Sequence, residues 1–181
     1  LGDARQCGTT ASLCGRETGS EMSLRLDIAL HAFLLTQSGL PILYSGDELG
    51  QCNDYSYHDD PLKRDDSRYL HRGKFDWDAA ARREENPIYT ALQDLEALRR
   101  TEPVFHADAD VWTLEPYNDH ILGIGRYYRG QKLLALFNFA RTPQTAYLSE
   151  QGQFRDLATG ETLYVQSVPL EACGYRWLLQ G

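Results

Sequence analysis

The sequence predicts a chain in two parts: an α/β segment over residues 1–102, followed by an all-β antiparallel sandwich over residues 103–181. In the first part, a helix, a tight turn and a short apolar strand follow one another, which is the pattern of an αβ unit. In the second part, short β-forming runs alternate with turn signals. The length of 181 residues is enough for the end of one domain and a small second domain.

Two helices and one strand define the first part. Apolar side chains recur on one helical face over residues 21–36, and Ser20 is a suitable N-cap. The apolar run 40–45 is bounded by glycines and predicts a strand buried on both faces, as in a parallel sheet. Residues 87–100 show a second amphipathic pattern, and Asn86 precedes a proline at the first helical position.

A long polar segment, residues 46–86, connects the strand to the second helix. Connections of this length are usually functional or disordered, and the aromatic residues within this one indicate order. The acidic pairs 59–60 and 65–66 could supply carboxylates for acid–base chemistry or metal binding, and a solvated surface run explains them equally well. Arg68 follows a buried strand, where α/β folds place ligands. It could pair with a carboxylate and bind sugar hydroxyls, or form a surface ion pair.

Seven short strands are predicted in the second part. Turn signals such as Asn118-Asp119 and Thr159-Gly160 separate them. The runs are Val111–Leu114, Ile121–Tyr128, Lys132–Phe139, Gln144–Leu148, Phe154–Asp156, Thr162–Val165 and Tyr175–Leu179.

Composition restricts the possible partners. The net charge of −8 disfavours nucleic acid and anionic membranes, whereas a neutral sugar is not repelled. The four cysteines show no C-x-x-C spacing, so no metal site is predicted, and a disulfide between Cys7 and Cys14 stays open. Scattered, reduced cysteines predict a cytoplasmic protein. Secretion stays open because the chain begins at Leu1.

Several segments resemble one known family. Residues 39–50, with the sequence GLPILYSGDELG, resemble the eighth-strand motif of the α-amylase superfamily, glycoside hydrolase family 13. Asp65-Asp66-Ser67-Arg68, followed by His71-Arg72, resembles the amylosucrase and sucrose hydrolase branch. Residues 8–13 and 137–139 are also similar to amylosucrase sequence, so the resemblance covers essentially the whole chain.

The resemblance implies a fold. Residues 1–102 would be the C-terminal end of a TIM-type (β/α)8 barrel, that is, an α/β barrel remnant made of its last αβα units. Residues 103–181 would be the C-terminal β-sandwich, domain C. Two αβ pieces cannot close a barrel, so the remainder of the chain's own barrel is the expected partner of the first part.

The resemblance also implies an activity. Enzymes of this branch split sucrose by a retaining mechanism and pass glucose to an α-1,4-glucan or to water. The mechanism needs two carboxyl groups about 5–5.5 Å apart and no cofactor. In the family these groups come from earlier barrel strands, so the nucleophile and the acid/base are expected upstream of Leu1. This chain would then contain no catalytic residue and would be inactive alone. Polymer synthesis, hydrolysis and isomerisation all stay open.

One residue carries over as a substrate-binding residue. Arg68 matches the arginine that closes the bottom of the glucosyl pocket by pairing with an upstream aspartate. Asp65 and Asp66 would orient Arg68 or line the acceptor side. Asp47 and Glu48 match a structural turn and are not expected to be catalysts.

Two other interpretations compete with this one. The first is another enzyme of the same superfamily, such as a trehalose synthase or an α-1,6-glucosidase. The presence of Arg68 in the Asp65-Asp66-Ser67-Arg68 motif argues against this interpretation. The second is a non-catalytic carbohydrate-binding module built on the sandwich. Alignment of Trp112, Tyr117 and Tyr128 on one sheet face would support that module.

Overall fold

The computed structural model describes residues 8–181. The chain forms two compact units. The first contains the residues up to Asp27 together with 43–91, and the second contains 28–42 together with 92–181. The division into domains at residues 102 and 103 stays a prediction, and each unit is described separately below.

The predicted helices are confirmed. Ser20 accepts a hydrogen bond from the backbone N–H of Ser23 (3.1 Å) at the start of the first long helix. Asn86 accepts one from Ile88 (3.1 Å) at the start of the second. The helices are α1 (Thr10–Leu13), α2 (Glu21–Thr36), α3 (Trp77–Ala81) and α4 (Pro87–Thr101).

The strand predicted over residues 40–45 is not formed. Leu40 and Ile42 are 89% and 77% exposed, and no strand among residues 8–181 pairs with this segment. An extended segment becomes a strand only when neighbouring strands bond to its N–H and C=O groups. The structure therefore does not show the predicted barrel remnant.

The second unit contains a mostly antiparallel β domain. Its strands form a six-stranded sheet in the order β1-β2-β3-β8-β5-β6 and a two-stranded sheet of β4 and β7. All the pairings are antiparallel. The strands are β1 (Asp110–Leu114), β2 (Ile121–Tyr128), β3 (Gln131–Asn138), β4 (Gln144–Tyr147), β5 (Gln153–Asp156), β6 (Thr162–Tyr164), β7 (Ser167–Leu170) and β8 (Tyr175–Gln180).

The seven predicted strands are confirmed to within one residue at each end, and β7 is an additional strand that was not predicted. Pro169 lies within β7 and pairs with Thr145 of β4. Proline cannot donate to a ladder, so its presence argues against a strand in the middle of a sheet. In a two-stranded sheet every strand is an edge strand, and proline is tolerated there.

The two sheets share one apolar core. Leu134, Leu136 and Leu178 of the larger sheet pack in the same cluster as Ala146 and Val168 of the smaller one. Side chains alternate between the faces of a strand, so these residues define the inner face of each sheet.

The opposite face of the six-stranded sheet is covered as well. Phe33 of α2 contacts Phe137 edge to face, with ring centroids 5.5 Å apart. Phe105 lies 4.8 Å from Trp177. Because both faces are covered, β3 is apolar without alternation, and every side chain from Leu133 to Phe137 is fully buried.

Arg126 of β2 is the largest buried charged side chain of this unit, at 1% exposure. Its guanidinium donates to the carbonyl oxygens of Thr36 (2.8 Å), Val104 (3.0 Å) and His106 (2.9 Å). Burial, followed by the nearby charge of Arg99, lowers the pKa of Arg126 to about 10, so the side chain stays charged at neutral pH. One side chain thus joins the end of α2 and the 103–106 segment to the sheet.

We expect Arg126→Met to lower the free energy of unfolding by about 3–5 kcal/mol, because the buried carbonyls lose their donors. Urea unfolding of the protein measures this change. Arg141→Met is the matched control, since Arg141 is exposed. Equal stability of the two variants would show that the carbonyls find other donors.

Candidate functional site

The segment 46–86 of the first unit contains short helical turns, three of which begin at aspartates. Carboxylates of Asp54, Asp60, Asp66 and Asp76 each accept a hydrogen bond from a backbone N–H two or three residues ahead, at 2.9–3.0 Å. Aspartate is a favoured N-cap because its oxygen satisfies an orphan N–H of the first turn. Much of the negative charge of this segment therefore belongs to carboxylates that accept hydrogen bonds from the segment's own backbone.

Asp47 and Glu48 hold the turn after residue 45. The backbone N–H of Tyr44 donates to Asp47 (3.1 Å), and that of Gly46 donates to Glu48 (2.8 Å). Gly46 has a φ of 101°, and a Cβ there would lie 2.9 Å from Oε1 of Gln51. Both carboxylates and the glycine thus have a structural role, as the resemblance implies.

Asn53 joins this segment to the helix α1 region. Its Oδ1 accepts from the N–H of Thr9 (2.8 Å), and its own N–H donates to Oγ of Ser12 (2.8 Å). Ser12 also donates to the carboxylate of Glu17. Asn53 was not among the predicted site residues, since a single asparagine in a polar loop carries no recognisable signal.

Segments that carry the family resemblance meet around His71. The N–H of Gly8 donates to Nδ1 of His71 at 3.4 Å. The ring of Tyr44 lies edge to face with the imidazole, with centroids 5.6 Å apart. Parts of three of the resembling segments are therefore neighbours in space.

Asp66 and Arg68 form the candidate substrate-binding pair. Nε of Arg68 lies 2.8 Å from Oδ1 of Asp66, and Nη2 lies 2.6 Å from Oδ2. The Arg68 side chain is 45% exposed and that of Asp66 is 26% exposed. Asp65 is exposed beside them. Two of the three predicted site residues are thus brought into direct contact, and the aspartate expected upstream of Leu1 stays a prediction.

The pairing lowers the pKa of Asp66. Hydrogen bonds from the Arg68 side chain and backbone, together with the charges of Arg68 and Arg72, lower the pKa of Asp66 to about 2. The pair is therefore fully ionised at neutral pH. Solvent screens such an exposed ion pair, so its main effect is to orient the guanidinium.

The aromatic residues considered for a binding module on the sandwich are not aligned. Trp112 pairs with Gly125 and lies over it, since a Cβ on Gly125 would be 2.2 Å from the indole. Tyr128 belongs to the opposite face of β2, where its ring stacks on His106 with centroids 4.6 Å apart. Tyr117 lies outside the strands. The three residues do not form one platform.

Within residues 8–181, no three histidine, cysteine or acidic side chains are grouped so that they could hold a metal ion. None of the helices in this part of the chain has the length and apolar character needed to cross a membrane. Cys7 of the possible Cys7–Cys14 disulfide lies outside the described residues.

The chain matches no protein-family model. It is similar to α-amylase MalA from Haloarcula japonica, with 28% identity over 134 residues. The match covers 71% of this chain and 17% of MalA, so the chain corresponds to a small part of that relative.

Solved structures of α-amylase-type proteins share the fold. An α-amylase from Anoxybacillus superposes with a TM-score of 0.61 at 21% identity, over 87% of this chain and 32% of that protein. The trehalulose synthase MutB from Pseudomonas mesoacidophila gives 0.64 at 18% identity, over 86% and 38%. A MutB variant solved with glucose gives 0.68 at 18% identity, over 91% and 40%.

In sequence the chain is thus similar to a part of an α-amylase. In structure it shares its fold with parts of an α-amylase and of a trehalulose synthase. The chain spans less than half the length of each of these relatives.

We expect the Asp66 carboxylate to titrate near pH 2 in a carboxyl-carbon NMR experiment. Because its pKa is lowered on folding, the stability that the carboxylate contributes is present above pH 3.8 and is lost as the pH falls toward 2. Arg68→Gln should raise the midpoint toward 3.8, whereas Arg64→Gln should leave it unchanged. An unchanged midpoint in Arg68→Gln would mean that the ion pair does not form in solution.

Proposed function

We propose that this chain is the C-terminal part of a retaining α-glucoside-active enzyme that splits sucrose and passes glucose to an α-1,4-glucan or to water. The observation that carries this proposal is the Asp66–Arg68 pair in an ordered segment. A guanidinium held by one carboxylate is a pre-oriented donor for a neutral, hydroxyl-rich ligand.

The geometry of the pair suits a role in binding rather than in bond cleavage. Arginine stays protonated and cannot act as a general acid or base near neutral pH. Asp66 is held ionised by Arg68, which makes it a poor proton donor. In our proposal the nucleophile and the acid/base come from the protein upstream of Leu1, and Arg68 also pairs there with an aspartate.

The remainder of the barrel is the proposed partner of residues 40–44. Leu40, Ile42 and Tyr44 are exposed in an extended segment whose backbone lacks neighbouring strands among the described residues. Insertion between two strands of a parallel sheet would bury these side chains and satisfy the backbone. Segments of this chain and of the remaining barrel would then complete the active-site pocket together.

A second candidate is an α-amylase that acts on α-glucans and not on sucrose. It is favoured by the similarity to α-amylase MalA. The sucrose-splitting candidate is favoured by the Asp65–Arg68 motif. MutB is named a trehalulose synthase and was solved with glucose and with isomaltulose, so its fold accommodates small saccharides. Parallel assays of the intact enzyme on sucrose and on maltooligosaccharides separate the two candidates.

We expect Arg68→Ala in the intact enzyme to lower kcat/KM for sucrose by about 100-fold, because a misplaced glucosyl unit no longer meets the catalytic groups. Arg68→Lys should recover little, since lysine cannot reproduce the planar fork. Steady-state kinetics with sucrose measure both effects.

Arg64→Ala is the matched control for this experiment. Arg64 lies in the same segment and is exposed, so its removal should leave turnover unchanged. Near-normal sucrose kinetics in Arg68→Ala would overturn the assignment of Arg68. Activity on maltooligosaccharides without activity on sucrose would favour the α-amylase candidate.

A further inference from the structure

Arg16 lies where the α1 region of the first unit meets helix α2. Helix α1 ends at Leu13, and Gly15, with a φ of 75°, turns the chain so that a short helical turn, Arg16–Thr18, follows. The Arg16 side chain is only 17% exposed, and its Nε lies 3.7 Å from Oδ2 of Asp27 on α2. Asp27 is 1% exposed, so this ion pair joins the α1 region to a buried carboxylate of α2.

The same guanidinium lies beside the turn that begins segment 46–86. Gly50 ends this turn with a φ of 65°. A Cβ on Gly50 would lie 3.7 Å from both Nε and Nη2 of Arg16. Because glycine has no side chain, the guanidinium can approach the backbone there. Arg16 therefore lies next to the Asp27 carboxylate and next to the start of the segment.

The start of the segment is hydrogen-bonded to the part that holds Arg68. The N–H of Asp54 donates to the carbonyl of Leu70 (2.8 Å), and Nε2 of Gln51 donates to the carbonyl of Lys74 (3.1 Å). Leu70 and Arg68 belong to the same short helical turn. A displacement of the start of the segment would therefore be transmitted to Arg68.

The segment contains little else that fixes its position. Among residues 46–86 only Gly46 is buried, so the segment has no buried apolar core of its own. Regions with few buried contacts open more easily than a packed core. Solvent screens a largely buried ion pair much less than an exposed one. The Arg16–Asp27 pair is thus well suited to control where the segment lies.

We propose that Arg16 is a positioning residue, which holds segment 46–86 where Arg68 can bind the glucosyl unit of the substrate. This role rests on the proposed function, in which Arg68 binds substrate. Arg16 itself does not touch the substrate. It is held by Asp27 and acts on the backbone at Gly50, and its effect reaches the substrate only through the segment.

The first test is hydrogen exchange of the intact enzyme in the absence of substrate, measured by mass spectrometry. We expect Arg16→Gln to increase the exchange rate of the amides of residues 50–54 by about 10-fold, because the segment opens more often. Arg16→Lys should restore slow exchange, since lysine keeps a positive charge beside Asp27. Arg25→Gln is the matched control, because Arg25 lies on α2 and forms an exposed ion pair. Unchanged exchange in Arg16→Gln would overturn the positioning role.

The second test is a double-mutant cycle with sucrose as the substrate. Arg16→Gln should lower kcat/KM by about 10-fold when Arg68 is present, because a displaced segment misplaces the guanidinium. In the Arg68→Ala background the same change should cost less than about 2-fold, since the misplaced group is already gone. A loss caused by lower stability alone would be equal in both backgrounds. Equal losses would therefore overturn the action through Arg68.

A second variant covers the case in which Arg16→Gln does not fold, because removal of one charge from a buried pair can be strongly destabilising. The double variant Arg16→Gln/Asp27→Asn removes both charges together. It should show the same faster exchange and the same loss that depends on Arg68, and normal exchange in it would contradict the proposal. Absence of sucrose turnover in the unmodified enzyme would remove the proposed function alone, because the exchange experiment tests the positioning role without substrate.

Discussion

The second unit depends on a single buried cation. Arg126 lies in β2, next to the edge strand β1 of the six-stranded sheet. Its guanidinium donates to backbone carbonyls at the end of α2 and in the 103–106 segment. Phe105 lies 5.7 Å from its guanidinium and 5.9 Å from that of Arg99. An arginine can satisfy several carbonyls at once because its donors form a rigid fork. The sheet, the helix end and the aromatic layer are therefore held in one arrangement.

The first unit is stabilised differently, because short polar side chains cap its helical turns. Aspartates cap the N-terminal ends of several helical turns along residues 46–86. Asn53 connects that segment to the start of α1 by a hydrogen bond. A loop of this kind has few apolar contacts of its own, so hydrogen bonds determine its path. The position of Arg68 follows from this path, since the same Asp66 that caps the turn also holds the guanidinium. The Asp66 carboxylate thus serves both the local backbone structure and the proposed binding role of Arg68.

The sequence predicted secondary structure correctly where an apolar side-chain pattern is periodic and the partners of that segment lie within the chain. Helices α2 and α4 were predictable because their apolar periodicity and their N-caps are local features of the sequence. Seven strands were predictable because the strands that pair with them lie among residues 110–180. The strand expected over residues 40–45 is not formed, because no strand among residues 8–181 bonds to it. Strand β7 was missed since Pro169 conceals an edge strand, and Arg126 was missed since a charge in a strand normally indicates a solvated face. At the candidate site the resemblance indicated Asp66 and Arg68, whereas the geometry of their contact could not be read from residue order.

The edges of the sheets have a consequence for how the chain behaves toward other copies of itself. Strand β7 carries Pro169, β6 has only three residues, and β1 begins with Asp110, so each of these edges is a poor template for intermolecular pairing. The extended run from Leu40 to Tyr44 has none of these protections apart from Pro41 near its start, and its leucine and isoleucine side chains face water. Until the proposed partner strands cover it, this run is therefore more open to pairing with another copy of the chain than β1, β6 or β7.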